Sequence, residues 1–150
     1  KTLVTSCADG YYAFKVLYDM LGKKGDLEVL HITEYLARLI KEGRLKLTKS
    51  VAMTVTYHDP CHLGRKVEPW IRQEGKLKAG EIYQPPRDLL NSIPGLKFIE
   101  MRRIKENAWC CGAGGGVIDA YPDFALWAAG ERIEEAKSIG TEAIVTACPW

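Results

Sequence analysis

The fold of this chain is decided by one stretch of its sequence, Val51-Ala52-Met53-Thr54-Val55-Thr56-Tyr57. β-Branched and polar residues alternate along it, which is the pattern of a β-strand. His58-Asp59-Pro60-Cys61 follows directly, and the pair Asp59-Pro60 favours a turn. The turn would present Cys61 at the carboxyl end of the strand, where α/β proteins usually build their sites.

Strands and helices alternate on both sides of this strand. Apolar runs predict further strands at Leu3–Thr5, Glu28–His31, Lys97–Met101 and Ala143–Ala147. Helical periods predict helices at Tyr11–Leu21, Glu34–Glu42, Pro86–Leu90 and Pro122–Ser138. This alternation predicts an α/β fold with a largely parallel sheet and a site at the carboxyl ends of its strands.

Three local details complete these elements. Thr33 is expected to cap the helix that follows it. No regular element is expected from Arg65 to Gln84, a polar stretch interrupted by proline and glycine. The inward-facing residues of the last helix are expected to be Phe124, Trp127, Ile133 and Ala136.

The composition is that of a globular protein, with 150 residues of which 47% are hydrophobic and 27% charged. The net charge of +2 shows no excess of one sign, which argues against nucleic-acid binding. The apolar runs are too short to span a bilayer, and no signal-peptide pattern opens the chain. We therefore expect a cytoplasmic protein that reaches the inner face of a membrane only through partner subunits. A start inside a strand and an end at Cys148-Pro149-Trp150 suggest part of a longer protein.

Five cysteines are an odd number, which fits metal ligands or redox groups better than a disulfide framework. Two of them are adjacent, in Trp109-Cys110-Cys111-Gly112-Ala113-Gly114-Gly115-Gly116. Neighbouring thiols cannot easily form a disulfide with each other, but both can ligate a cluster of several irons where the backbone turns sharply. The glycines allow such a turn and let main-chain N–H groups approach sulfur.

Two other interpretations of this segment remain open. The cysteine pair could be buried in the core beside a flexible glycine loop. The glycines could instead cradle phosphate, but that use requires a helix directly after them, and none is expected there.

Cys61 and Cys148 each follow or end a predicted strand, so four thiols could converge at one edge of the sheet with Cys110 and Cys111. This convergence favours an iron–sulfur cluster over a structural cysteine pair. His58 and His62 lie close to Cys61 in sequence and could act as ligands or proton donors, or as hydrogen-bonded structural residues. Arg65 could offset the negative charge of a thiolate-bound cluster or be a solvated surface residue, and His31 is expected in the core or at a sheet edge.

A short internal repeat links the two ends of the chain. Leu3-Val4-Thr5-Ser6-Cys7 matches Ile144-Val145-Thr146-Ala147-Cys148. In both, a cysteine stands at the carboxyl end of a predicted strand. We interpret residues 1–50 as the end of a preceding, degenerate repeat with a connector, and residues 51–150 as a second repeat.

The cysteine-bearing segments resemble the cysteine-rich CCG domain family, whose pattern is a Cys, a Cys-Cys-Gly and a Cys-x-x-Cys. The matching segments are His58-Asp59-Pro60-Cys61, Cys110-Cys111-Gly112 and Thr146-Ala147-Cys148-Pro149. The spacing between the first two segments is longer than usual in the family, because of the excursion around Val67–Gly80. In the first repeat, Gly10 stands where the family has a second cysteine after Cys7, so we expect Cys7 to be a remnant and not a ligand.

The resemblance implies a noncubane cluster of four irons held by five thiolates, with Cys61, Cys110, Cys111 and Cys148 as four of the ligands. The fifth would stand three residues after Cys148, so this 150-residue piece alone is expected to hold an incomplete cluster or none. The branch most similar to this chain is expected to be the K subunit of the membrane complex linked to dissimilatory sulfite reduction. Within heterodisulfide reductases such a cluster splits a disulfide in two one-electron steps.

The functional expectation is an oxidoreductase that reduces a disulfide or trisulfide of a thiol cofactor or partner protein. Expected partners are the other subunits of a redox complex: a ferredoxin-like, a flavin-bearing or a quinone-linked membrane subunit. An alternative is an electron-relay domain in a glycolate-, lactate- or glycerol-phosphate-oxidising complex. A third is an interaction module with zinc or no metal, although the adjacent Cys110 and Cys111 suit tetrahedral zinc poorly.

Overall fold

The computed structural model of the chain describes residues 1–68 and 81–149 in full, and the backbone of residues 71–73 and 76–78. Its strands are β1 (Thr2–Thr5), β2 (Glu28–His31), β3 (Met53–His58), β4 (Ile71–Gln73), β5 (Lys76–Lys78), β6 (Leu96–Phe98) and β7 (Ala143–Thr146). Its α-helices are α1 (Ala8–Tyr12), α2 (Tyr18–Met20), α3 (Ile32–Lys41), α4 (Gln84–Asn91), α5 (Val117–Ala120) and α6 (Pro122–Ser138). None of these described helices has the length and apolar character needed to cross a bilayer.

The predicted α/β fold is confirmed. Strand β3 is the centre of a three-stranded sheet in the order β6-β3-β7, and both of its neighbours run parallel to it. Strands β1 and β2 form a second, two-stranded parallel sheet. Parallel neighbours require crossover connections, which α4 and α6 supply around β3.

The expectation of no regular structure between Arg65 and Gln84 is wrong in part. Strands β4 and β5 form a short antiparallel hairpin there, and a 3₁₀ turn spans Glu81–Tyr83. Three-residue strands are too short for a recognisable alternation, so the sequence gives no signal for them. Pro69, Gly75 and Gly80 of this excursion lie outside the described residues, as does Trp150.

Strand β3 is buried on both faces, which explains its central position. Val55, Thr56 and Tyr57 are consecutive and therefore point to alternate faces, yet all three are almost fully buried. Parallel strands covered on both faces are typical of α/β domains. One apolar cluster on this sheet contains Val55, Tyr57 and Leu90.

A second apolar cluster joins the beginning of the chain to the segment after Cys61. Ala8, Tyr11 and Val29 pack there with Leu63 and with Ile82 and Tyr83 of the 3₁₀ turn. Residues 1–50 therefore pack directly against the larger sheet's loops. Both clusters consist of apolar and aromatic side chains whose burial stabilises the fold without a metal.

The fold should therefore persist when metal is removed. Chelation of bound metal is expected to leave the thermal unfolding transition of this chain intact, because neither apolar cluster depends on metal ligation for its packing. A thermal melt followed by circular dichroism, with and without chelator, measures this. Loss of the transition on chelation, as in zinc fingers, would contradict the prediction.

Two helix boundaries differ from the expected ones. His31, not Thr33, caps α3: its Nδ1 accepts the Thr33 N–H at 3.3 Å, and its own N–H donates to Glu34 Oε2 at 2.8 Å. This reciprocal pair is a capping box in which an imidazole replaces the usual hydroxyl. The helix expected over Tyr11–Leu21 begins at Ala8 and contains a π-helical turn at Ala13–Leu17.

The expected inward face of α6 is wrong for three of its four residues. Phe124, Trp127 and Ile133 are 56%, 60% and 49% exposed, and only Ala136 is buried as expected. The buried positions of this helix are Ala125, Arg132 and Ala136. At Ala125 the helix lies against the backbone of the loop that carries Cys110 and Cys111: a Cβ on Gly112 would stand 2.5 Å from the carbonyl oxygen of Ala125.

Candidate metal centre

Two of the four candidate cysteines follow neighbouring parallel strands. His58, the last residue of β3, pairs with Thr146, the last residue of β7. Cys61 follows β3 after the turn at Asp59-Pro60, and Cys148 follows β7 by two residues. The parallel register therefore places both thiols at the same edge of the sheet, as the sequence predicts.

The adjacent cysteines lie in the loop between a 3₁₀ turn at Lys105–Asn107 and α5. Gly112 has φ of +85°, the left-handed conformation that glycine adopts without strain. Its N–H donates to Cys110 Sγ at 3.3 Å. A main-chain N–H thus approaches a candidate ligand sulfur, as expected, and stabilises negative charge on it.

One cavity of about 410 Å³ opens between these segments. We call it the thiol cavity, because all four candidate cysteines line it: Cys61, Cys110, Cys111 and Cys148. The other titratable side chains that line the cavity are those of Asp9, His58, His62 and Arg132. Cys7 is not among the described residues that line it. The structure brings the four thiols together, while their role as ligands stays a prediction.

The thiols surround the cavity without meeting at a point. In the described parts of the chain, no three His, Cys, Asp or Glu side chains are arranged to hold one metal ion. A structural zinc site needs four ligands around a single centre. Thiols spread around a larger volume suit a group with several metal atoms better.

The Cys61 thiol is biased toward its protonated form. Burial raises the pKa of Cys61, and the neighbouring Cys110 and Cys111 raise it further, while Arg65 acts in the opposite direction. The thiolate is the form that binds metal. Ligation at Cys61 therefore requires a positive centre that replaces the proton.

A buried ion pair fixes the turn that presents Cys61. Arg87 of α4 donates from Nη1 and Nη2 to the two carboxylate oxygens of Asp59, at 2.8 and 2.9 Å. Both side chains are at most 5% exposed. Burial alone would lower the pKa of Arg87, but its hydrogen bonds to Asp59 and Glu100 raise it, so the guanidinium stays charged.

The same carboxylate also holds the start of the segment that leads to the cysteine loop. The N–H of Lys105 donates to Asp59 Oδ2 at 2.6 Å. Lys105 has φ of +56°, a conformation that residues with side chains rarely adopt. The buried Asp59 carboxylate therefore connects the turn before Cys61 with the segment at Lys105 that leads to Cys110.

His58 and Arg132 form a second buried polar contact in the cavity wall. Arg132 Nε donates to His58 Nδ1 at 3.2 Å. Burial, with a further contribution from the positive charge of Arg132, lowers the pKa of His58 to about 4. The imidazole is therefore neutral at pH 7, with its proton on Nε2.

The beginning of the chain contributes to the cavity through one polar contact and one ring contact. The Asp9 carboxylate of α1 contacts His62 Nδ1, and the Tyr12 ring stacks on the imidazole at 5.5 Å between centroids. His62 follows Cys61 directly, so residues 1–50 help to position the loop that carries this thiol.

A comparison with known protein families gives a match over most of this region. Residues 55–150 match the model of the CCG cysteine-rich domain. The chain belongs to the CCG cysteine-rich domain family. The matched range begins within β3 and includes all four candidate cysteines of the thiol cavity.

Curated proteins with similar sequences are iron–sulfur and redox proteins. The chain is 44% identical over 146 residues to one subunit of the dihydromethanophenazine:CoB–CoM heterodisulfide reductase of Methanosarcina acetivorans, covering 97% of this chain and 32% of that protein. It is 36% identical to the probable iron-sulfur-binding oxidoreductase FadF of Bacillus subtilis, over 100% of this chain and 19% of that protein. It is 35% identical to EtfAB:quinone oxidoreductase of Syntrophomonas wolfei, over 100% of this chain and 20% of that protein. The chain thus spans about a third or less of the length of these relatives.

The glycine run of this CCG domain differs from the expectation in one respect. A helix does begin directly after it, since α5 starts at Val117 with Gly116 as its N-cap at φ of +77°. The expectation of no helix there is wrong, because four residues give too little periodicity to recognise. So short a helix has few aligned peptide dipoles and is no phosphate site.

Sequence reasoning missed two charged residues of the cavity, Arg132 and Asp9. Arg132 lies in a helix whose large apolar residues suggested a different buried face. The available signal was the spacing of small residues at Ala125, Ala129 and Ala136, which repeats every three or four positions and includes position 132. Asp9 carries no such signal, because its contact with His62 spans 53 positions of sequence.

Gly112→Ala should destabilise the CCG loop strongly. An alanine there would adopt a positive φ and place its Cβ 2.5 Å from the Ala125 carbonyl oxygen, so we expect a loss of about 1–3 kcal/mol in the free energy of unfolding. Urea denaturation measures it. Gly114→Ala is the matched control, since a Cβ there meets no atom within 4 Å. If the two substitutions lowered the free energy of unfolding equally, the positive φ of Gly112 and its close approach to Ala125 would not be what requires glycine there.

Proposed function

We propose that this CCG domain is part of an iron–sulfur oxidoreductase of the heterodisulfide reductase type, which reduces a disulfide or trisulfide of a thiol cofactor or partner protein. The observation that supports it is the convergence of Cys61, Cys110, Cys111 and Cys148 on one cavity at the carboxyl edge of a parallel sheet. The names of the relatives agree with redox chemistry of this kind.

The residues around the cavity fit a thiolate-bound group of several irons. The cavity volume of about 410 Å³ exceeds the space that one metal ion needs, and all four cysteines line it. We propose the noncubane four-iron cluster as this group, with the four cysteines among its ligands. When bound, such a cluster accepts and donates single electrons, so that a disulfide can be cleaved in two steps.

The polypeptide supplies ligand positions, hydrogen bonds and charge. The ion pair between Asp59 and Arg87 fixes the turn that presents Cys61. The Gly112 N–H donates to Cys110 Sγ and disperses negative charge from that sulfur. Neutral His58 and charged Arg132 line the same cavity, and both side chains are buried.

A second candidate function is electron relay without disulfide chemistry. The similarity to EtfAB:quinone oxidoreductase favours it, since that protein's name describes electron transfer to a quinone. In this case the domain would connect a flavin-bearing or ferredoxin-like subunit with a quinone-linked membrane subunit of a glycolate-, lactate- or glycerol-phosphate-oxidising complex.

The setting of the domain follows from the same proposal. We propose that residues 1–50 are the end of a degenerate preceding CCG repeat, since β1 ends two residues before Cys7 just as β7 ends two residues before Cys148. Partner subunits of a redox complex would bind this domain on the cytoplasmic side of a membrane. The relation to the K subunit of the sulfite-reduction complex stays a prediction.

Electron paramagnetic resonance of the anaerobically purified full-length protein tests the proposal. We expect the iron–sulfur signal of the reduced protein to change when a disulfide or trisulfide of a small thiol is added, because the cluster then gives electrons to the sulfur–sulfur bond. A cluster signal that no disulfide alters would favour electron relay. A protein that carries no iron after anaerobic purification would refute both functions.

A further inference from the structure

Arg132 is a buried cation with an unused hydrogen-bond donor in the wall of the thiol cavity. Its side chain is 4% exposed, and it lines the same cavity as the four cysteines. Its Nη1 donates to Glu135 Oε2 at 2.6 Å and to the Arg103 carbonyl oxygen at 3.2 Å. Its Nη2 is buried and has no hydrogen-bond partner among the described residues. Buried donors normally have partners, so this one indicates a ligand.

The geometry of the guanidinium places the unused donor beside His58. The Nε–H and one Nη2–H of an arginine point in the same direction and form a two-pronged edge that suits anions. The Nε–H of this edge already donates to His58 Nδ1 at 3.2 Å. His58 also lines the cavity, and its neutral ring leaves the positive charge of Arg132 unbalanced on that side.

The charge of Arg132 is only partly neutralised by carboxylates. Glu135 contacts Arg132, but it also accepts from Arg103 through Nη1 at 3.3 Å and through the Arg103 N–H at 2.7 Å. Two guanidinium groups therefore share one carboxylate. The Arg103 guanidinium lies over the Trp109 ring at 3.6 Å, next to Cys110, so this cluster has positive charge in excess beside the cysteine loop.

We propose that Arg132 contacts the thiolate-bound iron group and sets its redox potential: its Nη2–H donates to an anionic sulfur of that group, and its charge makes the group easier to reduce. The inference rests on the proposed function. Each one-electron reduction adds one negative charge, and a nearby cation in a poorly solvated site favours the more negative state.

Redox titration of the full-length holoprotein tests this, with Arg132→Met, Arg132→Lys and Glu135→Gln compared by electron paramagnetic resonance. Arg132→Met should disfavour reduction about tenfold in equilibrium constant, which is a shift of 59 mV to more negative potential for one electron. Arg132→Lys should restore part of the shift, since it keeps the charge but loses the two-pronged edge. Iron per protein is measured in parallel.

Glu135→Gln separates an electrostatic role from a structural one. It removes a negative charge beside Arg132, so the potential should move in the positive direction. A purely structural role predicts that both substitutions disturb the site alike and move the potential the same way. Arg38→Met is the control for loss of a distant arginine, because Arg38 does not line the thiol cavity, and it should leave the potential unchanged.

Two outcomes would overturn the inference about Arg132, and a third would also overturn the proposed function. An unchanged potential in Arg132→Met with its iron retained would show that Arg132 does not act on the cluster. If Arg132→Met loses its iron, the potential of Glu135→Gln is the deciding measurement. A potential that is unchanged or more negative in Glu135→Gln would refute the electrostatic role of Arg132. A wild-type protein without any cluster signal would refute the proposed function itself together with this inference.

Discussion

Replacing Arg87 by methionine is expected to destabilise the domain by about 3–5 kcal/mol. The substitution leaves Asp59 buried without the guanidinium that donates to both of its carboxylate oxygens at 2.8 and 2.9 Å. A buried carboxylate that loses its counter-charge retains its desolvation penalty, which explains the size of the effect. Chemical denaturation of wild type and variant measures the difference in the free energy of unfolding.

Two further variants show whether the stranded charge causes the loss. Asp59→Asn combined with Arg87→Met removes both charges and should be less destabilising than Arg87→Met alone. Arg38→Met removes an ion pair of the same length, 2.8 Å to Glu28, but on the surface, and it should have little effect. If Arg87→Met also behaved like the surface variant, the Asp59–Arg87 pair would not be what fixes the Cys61 turn.

Substitution of Cys61 or Cys148 by serine in the anaerobically purified full-length protein is expected to remove most of the iron of this cluster. Both residues line the thiol cavity and follow paired strands, so the sheet holds each thiol at its edge. Serine oxygen is a poor substitute for thiolate toward iron. Iron and acid-labile sulfide per protein chain measure the loss.

Cys7→Ser is the matched control, because it makes the same chemical change at the end of the equivalent strand of the smaller sheet. Cys7 lies beyond β1 and is not among the described residues that line the thiol cavity. The iron content should therefore stay at the wild-type level. A loss as large as that of Cys61→Ser would refute the assignment of Cys7 as a remnant.

The sequence predicted the larger parts of this fold because they follow long hydrophobic patterns. The alternation from Val51 to Tyr57 gave the central strand, and the apolar run near Ala143 gave its parallel neighbour. The strand expected at Lys97–Met101 is shorter and lies at Leu96–Phe98, because only these residues pair with β3. The prediction that Cys61 and Cys148 lie at the same edge of the sheet required only that their strands run parallel.

Features that depend on tertiary contacts were not predictable from local patterns. The prediction for the inward face of α6 was wrong because its large apolar residues dominate the periodicity, whereas the buried positions are Ala125, which lies against Gly112, Arg132 and Ala136. The buried pair of Asp59 and Arg87 joins residues 28 positions apart, and neither carries a sequence signal for burial. The burial of Arg132 was not predicted either, because the large apolar residues of α6 indicated a different buried face.

The parallel pairing of β3 with β7 also sets an order of events during biosynthesis. Cys61 leaves the ribosome about ninety residues before Cys148, which at typical elongation rates takes roughly 4–17 s. The thiol cavity cannot close until β7 has docked beside β3, since that pairing brings Cys148 to Cys61. Insertion of the proposed cluster must therefore follow synthesis and folding of the sheet, and until then the early thiols are open to oxidation.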